Sequence, residues 1–259
     1  MEGIAVCGHD TASVVAAIPV THPDYVFISA GTWCIVGVES DTPLLNEETF
    51  RRGFTNERGY DNRYRILKNI VGLWLLQGLK KHFSEVSSFG EMEQMARESE
   101  WGDLMIDPDD PGFYNPDDMK QAFDTYFRQS GQEIPENPGA YIHCAYRSLS
   151  FSFRSHIEIL EKLSGRRFNV IHVVGGGSQS DYLNQFISDI CDKPVIAGPV
   201  EAATIGNMLV QAVTMEKIAD LDRGRSFVRE HVPLKKYQPR TDPRKIIQQY
   251  QQYLSIKNH

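Results

Sequence analysis

The sequence predicts an α/β protein, and three observations carry that prediction. Its second half alternates strand-like and helix-like segments in the order strand, helix, strand, helix, the signature of an α/β layer. The stretch "VVGGGSQSDYLNQF", residues 173 to 186, puts three consecutive glycines between an apolar run and an amphipathic one. Nearer the start, "DYVFISAGTWCIVGVES" reads as two strands around a Gly-Thr turn, a hairpin-like unit.

Taken in order, "GIAVCGHDTASVVAAIPV" reads as a short strand, a polar turn over Gly8 to Thr11 and a small-residue helix stopped by Pro19. After the hairpin, "YRILKNIVGLWLLQGLKKHF" places Ile66, Ile70, Leu73, Trp74 and Leu76 on or near one face and predicts an amphipathic helix. Residues 84 to 139 mix short helical pieces with Pro, Asp and Gly clusters, which reads as a loop-rich insertion outside the core. A long helix over Ala140 to Leu163 leads through Gly165 to the strand before the glycines. Beyond it come "VIAGP", a small-residue helix in "EAATIGNMLVQAV" and a terminal helix in "TDPRKIIQQYQQYLSIKNH".

The glycines suit a strand, turn, helix junction where backbone N–H groups approach a phosphate or nucleotide, because no Cβ blocks contact. On the motif alone an ordinary tight strand-to-helix connection is the favoured reading, since lone glycine patterns are weak. They do not form a dinucleotide fingerprint, which needs glycine or alanine where Ser180 stands and an acidic residue after the next strand. The Walker pattern and the protein-kinase H-R-D and D-F-G signatures are absent.

Two further sets of residues are open to a structural or a functional reading. Asp10 stands where an N-cap is expected, yet with His9 and Thr11 it forms a polar cluster at a strand-end turn, where open α/β sheets place ligands. Asn69 and Gln77, eight residues apart on the predicted helix, fall close to one face. Their amides need partners, either local backbone or a ligand.

Composition narrows the function classes. A formal net charge of -7 over 259 residues argues against a protein that coats nucleic acid. Cys7, Cys34, Cys144 and Cys191 are far apart without ligand spacing, so neither zinc nor a disulfide framework is expected, and a reducing cytoplasm fits. The longest apolar stretch, "IVGLWLLQGL", is too short for a membrane span.

Four stretches together carry a resemblance. "GHDTASVVAAIP", "ISAGTWCIVGVE", "FTNERGYDNRYRILKNIVGLWLLQ" and "VVGGGSQSDYLNQFISDICDKPVIAGPVEAATIGNMLVQA" resemble, in order, the carboxy-terminal half of sugar kinases of the FGGY family. The match runs from about Gly3 to Pro239, and the G-T-W turn, the F-T-N-E segment and the L-K-N-I-x-G-L-W-L-L-Q run are most similar to its rhamnulokinase branch. The resemblance implies an actin-like ATPase (ribonuclease H-like) α/β fold, with residues 1–259 as the carboxy-terminal domain of two. It implies ATP and Mg²⁺ as cofactors and a ketose, L-rhamnulose, as the sugar phosphorylated. A fuculose or xylulose kinase, or a nucleotide-binding module without turnover, remains an alternative.

By the same resemblance Asp10 matches the general base, with His9, Thr11 and Asn69 as sugar-contacting positions. Thr32 matches the second phosphate loop, Gln77 a nucleotide-contacting position, and Gly175, Gly176 and Gly177 the loop against which adenosine lies. A preceding amino-terminal kinase domain, carrying the first phosphate loop on a D-x-G-x-[ST]-like hairpin, is the expected partner, and without it the chain is expected to be inactive. The local run "DRGRS", Asp222 to Ser226, reads as a coincidental match to that hairpin, set in a charged stretch. Neither nucleic acid nor membrane is expected as a partner.

Overall fold

A computed structural model describes residues 3–99 and 102–257. A short helix α1 (Asp10–Ala16) precedes strands β1 (Tyr25–Ala30) and β2 (Trp33–Ser40). Helix α2 (Glu47–Arg51), strands β3 (Thr55–Arg58) and β4 (Tyr64–Val71) and helices α3 (Trp74–His82), α4 (Phe89–Glu98), α5 (Met119–Gln129) and α6 (Pro138–Ser164) follow. The chain then runs through β5 (Val170–Val174), α7 (Asp181–Cys191), β6 (Val195–Ala197), α8 (Ala202–Thr214), α9 (Leu221–His231), β7 (Lys235–Tyr237) and α10 (Pro243–Lys257).

All seven strands join one sheet in the order β3-β4-β2-β1-β5-β6-β7. β1, β2 and β4 form an antiparallel meander, while β5 and β6 continue from β1 in parallel. Helices cover both faces. On one, Val26, Ile28, Val36 and Val38 pack with Ile142, Leu149 and Phe153 of α6. On the other, Phe27 and Leu67 pack with Val15 of α1, Ile18 and Ala202 of α8. This is the α/β class expected, with the sheet and helix layers of an actin-like ATPase domain.

Four expectations are corrected. Residues 64–83 are not one helix: Tyr64–Val71 is strand β4 and only Trp74–His82 is helical. β4 is paired on both sides, to β2 and β3, and buries residues on both faces, so its apolar positions do not alternate and mimic helical spacing. The break is Gly72, where a Cβ would lie 2.5 Å from Cys34 Sγ and 2.8 Å from the Gly31 carbonyl oxygen. Residues 4–7 pair with no strand among the described residues, and the N-cap of α1 is His9, whose Nδ1 accepts from Thr11 N–H at 3.1 Å; Asp10 is the first helical residue. The 84–139 segment is not peripheral, because Met92 and Ala96 of α4, Phe113, and Phe123 and Phe127 of α5 belong to the main core. The "DRGRS" run lies inside α9.

Close approach and buried charge hold α1 in place. The helix packs on α8 at Gly206, where a Cβ would fall 1.7 Å from the Ser13 carbonyl oxygen. Arg225 of α9, 3 % exposed, donates to the Val15 and Ala16 carbonyls at 3.0 and 3.3 Å and to Glu39 of β2 at 2.8 Å. Glu39 also accepts from the Tyr25 hydroxyl.

Gly206→Ala reverses the usual sign of a helical glycine replacement. Propensity favours alanine by about 1 kcal/mol, but a 1.7 Å contact with backbone must push two helices apart, and overpacking of this kind costs about 1–3 kcal/mol or more. Urea unfolding is expected to show net destabilisation, whereas Gly176→Ala, where a Cβ meets nothing within 4 Å, stays within about 0.5 kcal/mol of the parent.

Two core histidines predict an acid-sensitive stability. Burial, reinforced by the charge of Arg147, lowers His143 to about 3; burial, reinforced by Arg225 and Arg229, lowers His172 to about 4. Their unfolded value is about 6.5, so between 6.5 and these values the unfolded chain binds the extra protons. Stability is complete above about pH 6.5 and falls on acidification, by up to about 1.4 kcal/mol per pH unit for each histidine. Denaturant midpoints unchanged from pH 7.5 to 5 would contradict neutral burial of both rings.

Candidate nucleotide-binding cleft

The turn between β1 and β2 is fixed from below by α3. The first N–H groups of a helix lack internal partners, and Leu73 at the N-cap has no side-chain oxygen to offer them. Instead Leu73 N–H donates to Gly31 O and Trp74 N–H to Thr32 O, both at 3.0 Å. Gln77, one turn further, donates from Nε2 to Thr32 Oγ1 at 3.1 Å. The partner of the Gln77 amide is therefore a side chain brought from 45 residues away, where sequence offered local backbone or a ligand.

The three glycines have three different reasons to be glycine. Gly175 takes φ +82° with its Cβ position 3.1 Å from Ala30 O, a left-handed conformation that side chains disfavour. At Gly177 a Cβ would press to 2.5 Å from Ala30 Cβ. Gly176 has neither constraint: its Cβ position is open and it is exposed. The loop is tied to α7 by Asn184, wholly buried, whose Nδ2 donates to the carbonyls of Gly177, Ser178 and Ser180 at 3.1, 3.2 and 2.6 Å. Ser180 caps α7 by accepting from Leu183 N–H at 3.0 Å.

These two loops border one cleft of about 610 Å³, within the size range of small-molecule sites. Thr32, Gln77, Gly176 and Gly177 all line it, and Gly175 lies directly beneath, against β1. Phe89 and Glu93 of α4, with Tyr146 of α6, complete the wall. Sequence reasoning missed these three because the 84–139 segment carries no motif; the Ser88 cap and amphipathic spacing of α4 were the available signal. Asp181, at the rim, accepts from Lys235 Nζ at 2.7 Å and the Tyr237 hydroxyl at 2.6 Å, and these bonds hold its carboxyl below the usual range.

The remaining selected residues stand outside this lining. His9 and Asp10 are exposed at the start of α1, and Thr11 is buried behind them. Asn69 is exposed on β4, opposite Ile35, on the strand face whose Leu67 packs with Val15 of α1. Asn69 and Gln77 thus share no helix face; one is on a strand and the other on a helix. A larger hollow of about 680 Å³ at the far end of α6 holds none of the selected residues; on its lining Arg154 pairs with Glu158 and Lys193 with Glu161. Among the described residues no group of three or more His, Cys, Asp or Glu could hold a metal ion, and no helix is long and apolar enough to cross a membrane.

Comparison with known proteins identifies the family. Residues 26–215 match the FGGY family of carbohydrate kinases, C-terminal domain. The chain is 42% identical over 236 residues to a rhamnulokinase of Bacteroides thetaiotaomicron, covering 91% of this chain and 48% of that protein. It is 36% identical over 250 residues to one of Bacillus subtilis, covering 96% and 52%. The chain thus spans about half the length of the curated relatives it matches. Among solved structures, Plasmodium falciparum glycerol kinase with ADP superposes with a TM-score of 0.71 at 13% identity over 96% of this chain and 49% of that one. A xylulose kinase from Rhodospirillum rubrum gives 0.69 at 17% identity over 95% and 49%. With the family profile covering most of its length and the glycine loop and Gly-Thr turn meeting at one cleft, the chain belongs to the FGGY family of carbohydrate kinases, to the part described as its C-terminal domain.

Proposed function

We propose that this chain supplies the nucleotide-binding domain and the general base of an ATP-dependent kinase that converts L-rhamnulose to L-rhamnulose 1-phosphate. The observation that carries the reading is the convergence of Thr32, Gln77, Gly176 and Gly177 on one cleft, in a chain 42% and 36% identical to two proteins named rhamnulokinase. An amino-terminal kinase domain supplies the rest of the sugar site and the first phosphate loop.

In this reading Thr32 and the turn around it hold the phosphates, and adenosine lies against the exposed backbone of Gly176. Phosphoryl transfer asks a protein chiefly to align the reactants and to stabilise charge. Asp10 accepts the proton of the attacking sugar hydroxyl as its oxygen bonds to the γ-phosphorus and the bond to the β-phosphate oxygen breaks, releasing ADP. His9, Thr11 and Asn69 orient the sugar. Mg²⁺ bound to the nucleotide would be held mostly by substrate phosphates with one or two carboxylates and would supply neutralisation of phosphate charge.

A coupled ADP-release assay tests the assignment. The chain alone is expected to turn over little ATP with L-rhamnulose, fuculose or xylulose, and the two-domain enzyme to prefer L-rhamnulose. In that enzyme Asp10→Asn lowers kcat by roughly a hundredfold to ten-thousandfold with little change in ATP affinity. An Asp10→Asn enzyme with parental kcat would reduce Asp10 to a helix-start carboxylate favoured by the dipole, and turnover by the chain alone would remove the need for a second domain.

Gly176→Val separates a ligand-facing glycine from a structural one. Because the site is open and free of positive φ, the fold is expected to stay within about 0.5 kcal/mol of the parent, while the added branches occupy nucleotide space and weaken ATP roughly tenfold or more. Calorimetric titration and thermal melts on one sample read both quantities; a variant that melts early but binds ATP normally assigns the glycine to the turn alone.

A further inference from the structure

One wall of the cleft comes from α4, and it carries a carboxylate that the kinase reading leaves without a task. Glu93 Oε1 accepts from the Ser180 hydroxyl at 2.6 Å and lies 3.5 Å from the Tyr146 hydroxyl, and all three residues line the cleft. Those contacts fix the carboxylate through one oxygen only. No group among the described residues donates to Oε2.

A carboxylate accepts hydrogen bonds and repels phosphate at short range. The phosphates therefore belong at the Thr32 end of the cleft, and what comes to rest beside Glu93 is the nucleoside. Its donors are the ribose hydroxyls and the exocyclic amine of the base. Phe89, 45% exposed on the preceding turn of the same helix, offers an apolar ring beside them.

Resting on the nucleotide reading above, we propose that Glu93 is a specificity-determining residue, whose Oε2 accepts a hydrogen bond from an O–H or N–H donor of the bound nucleoside. Ser180 and Tyr146 hold the carboxylate for that purpose. The rival role is purely structural, a clamp between α4 and the cap of α7, and a clamp would affect every nucleotide alike.

The test is calorimetric titration of the protein and its Glu93→Ala and Glu93→Gln variants with ADP, 2′-deoxy-ADP, 3′-deoxy-ADP and IDP, with melts to verify folding. The parent is expected to disfavour one analogue by about tenfold, the effect of losing a hydrogen bond to a charged group. Glu93→Ala should weaken ADP by a similar factor yet bind that analogue as the parent does, so the preference disappears; the analogue concerned tells hydroxyl from amine. Glu93→Gln, which can still accept a hydrogen bond from its carbonyl, should fall between the two. Equal weakening of all four nucleotides, or no change in any, overturns the proposal and leaves Glu93 as a clamp. A parent chain that binds none of the four overturns the nucleotide reading itself, a result distinct from loss of discrimination alone.

Discussion

A guanidinium buried between helix and sheet fixes the part of the molecule that carries the proposed base. Arg225 bonds at once to Glu39 on β2 and to the last carbonyls of α1, so one side chain joins the sheet, α9 and α1. A helix of seven residues is far below the length that sustains itself in water. Its position is imposed by tertiary contacts, by Arg225 at one end and by the Gly206 crossing along its side. Such a pair is not strong evidence of net stabilisation, since burying two charges roughly offsets their attraction. Removing one partner is another matter, for it strands the other in the core at about 3–5 kcal/mol. Asp10 therefore depends on a residue more than two hundred positions away in the chain, whose own contacts lie at the opposite end of the helix.

The cleft is built at the carboxyl end of β1. β1 closes at Ala30, and both loops meet there: the Gly31-Thr32 turn follows it directly, and Gly175 and Gly177 pack on it. Because β1 and β5 are parallel, their carboxyl ends lie side by side, the place where open α/β sheets bind ligands. Backbone bonds from α3 and side-chain bonds from Gln77, Asn184 and Ser178 hold the two loops, and of the three glycines only Gly176 is exposed.

The sequence was most legible where a local rule acts alone. The β1-β2 hairpin, the long helix ending at Gly165 and the strand, glycine, helix junction all follow from turn chemistry and spacing. β4 was misread because a strand paired on both sides and covered on both faces has no alternating pattern to show. α9 was missed since its charged run hides a structural role: nothing in "DRGRS" says that Arg225 points inward. Of the site, the glycines, Thr32 and Gln77 could be selected from sequence, but the hydrogen bond joining the last two crosses 45 residues. Glu93 could not be selected, because its meaning comes from Ser180, 87 positions away.

Asn184 carries a consequence for the kinetics of ligand capture. With its amide nitrogen donating to loop carbonyls and Ser178 Oγ donating to Gly175 O at 2.6 Å, the glycine loop is braced from behind by the fold itself. Flexible loops lose conformational entropy on binding and slow the encounter while they rearrange. A loop braced from behind lowers both penalties for a nucleotide bound as proposed.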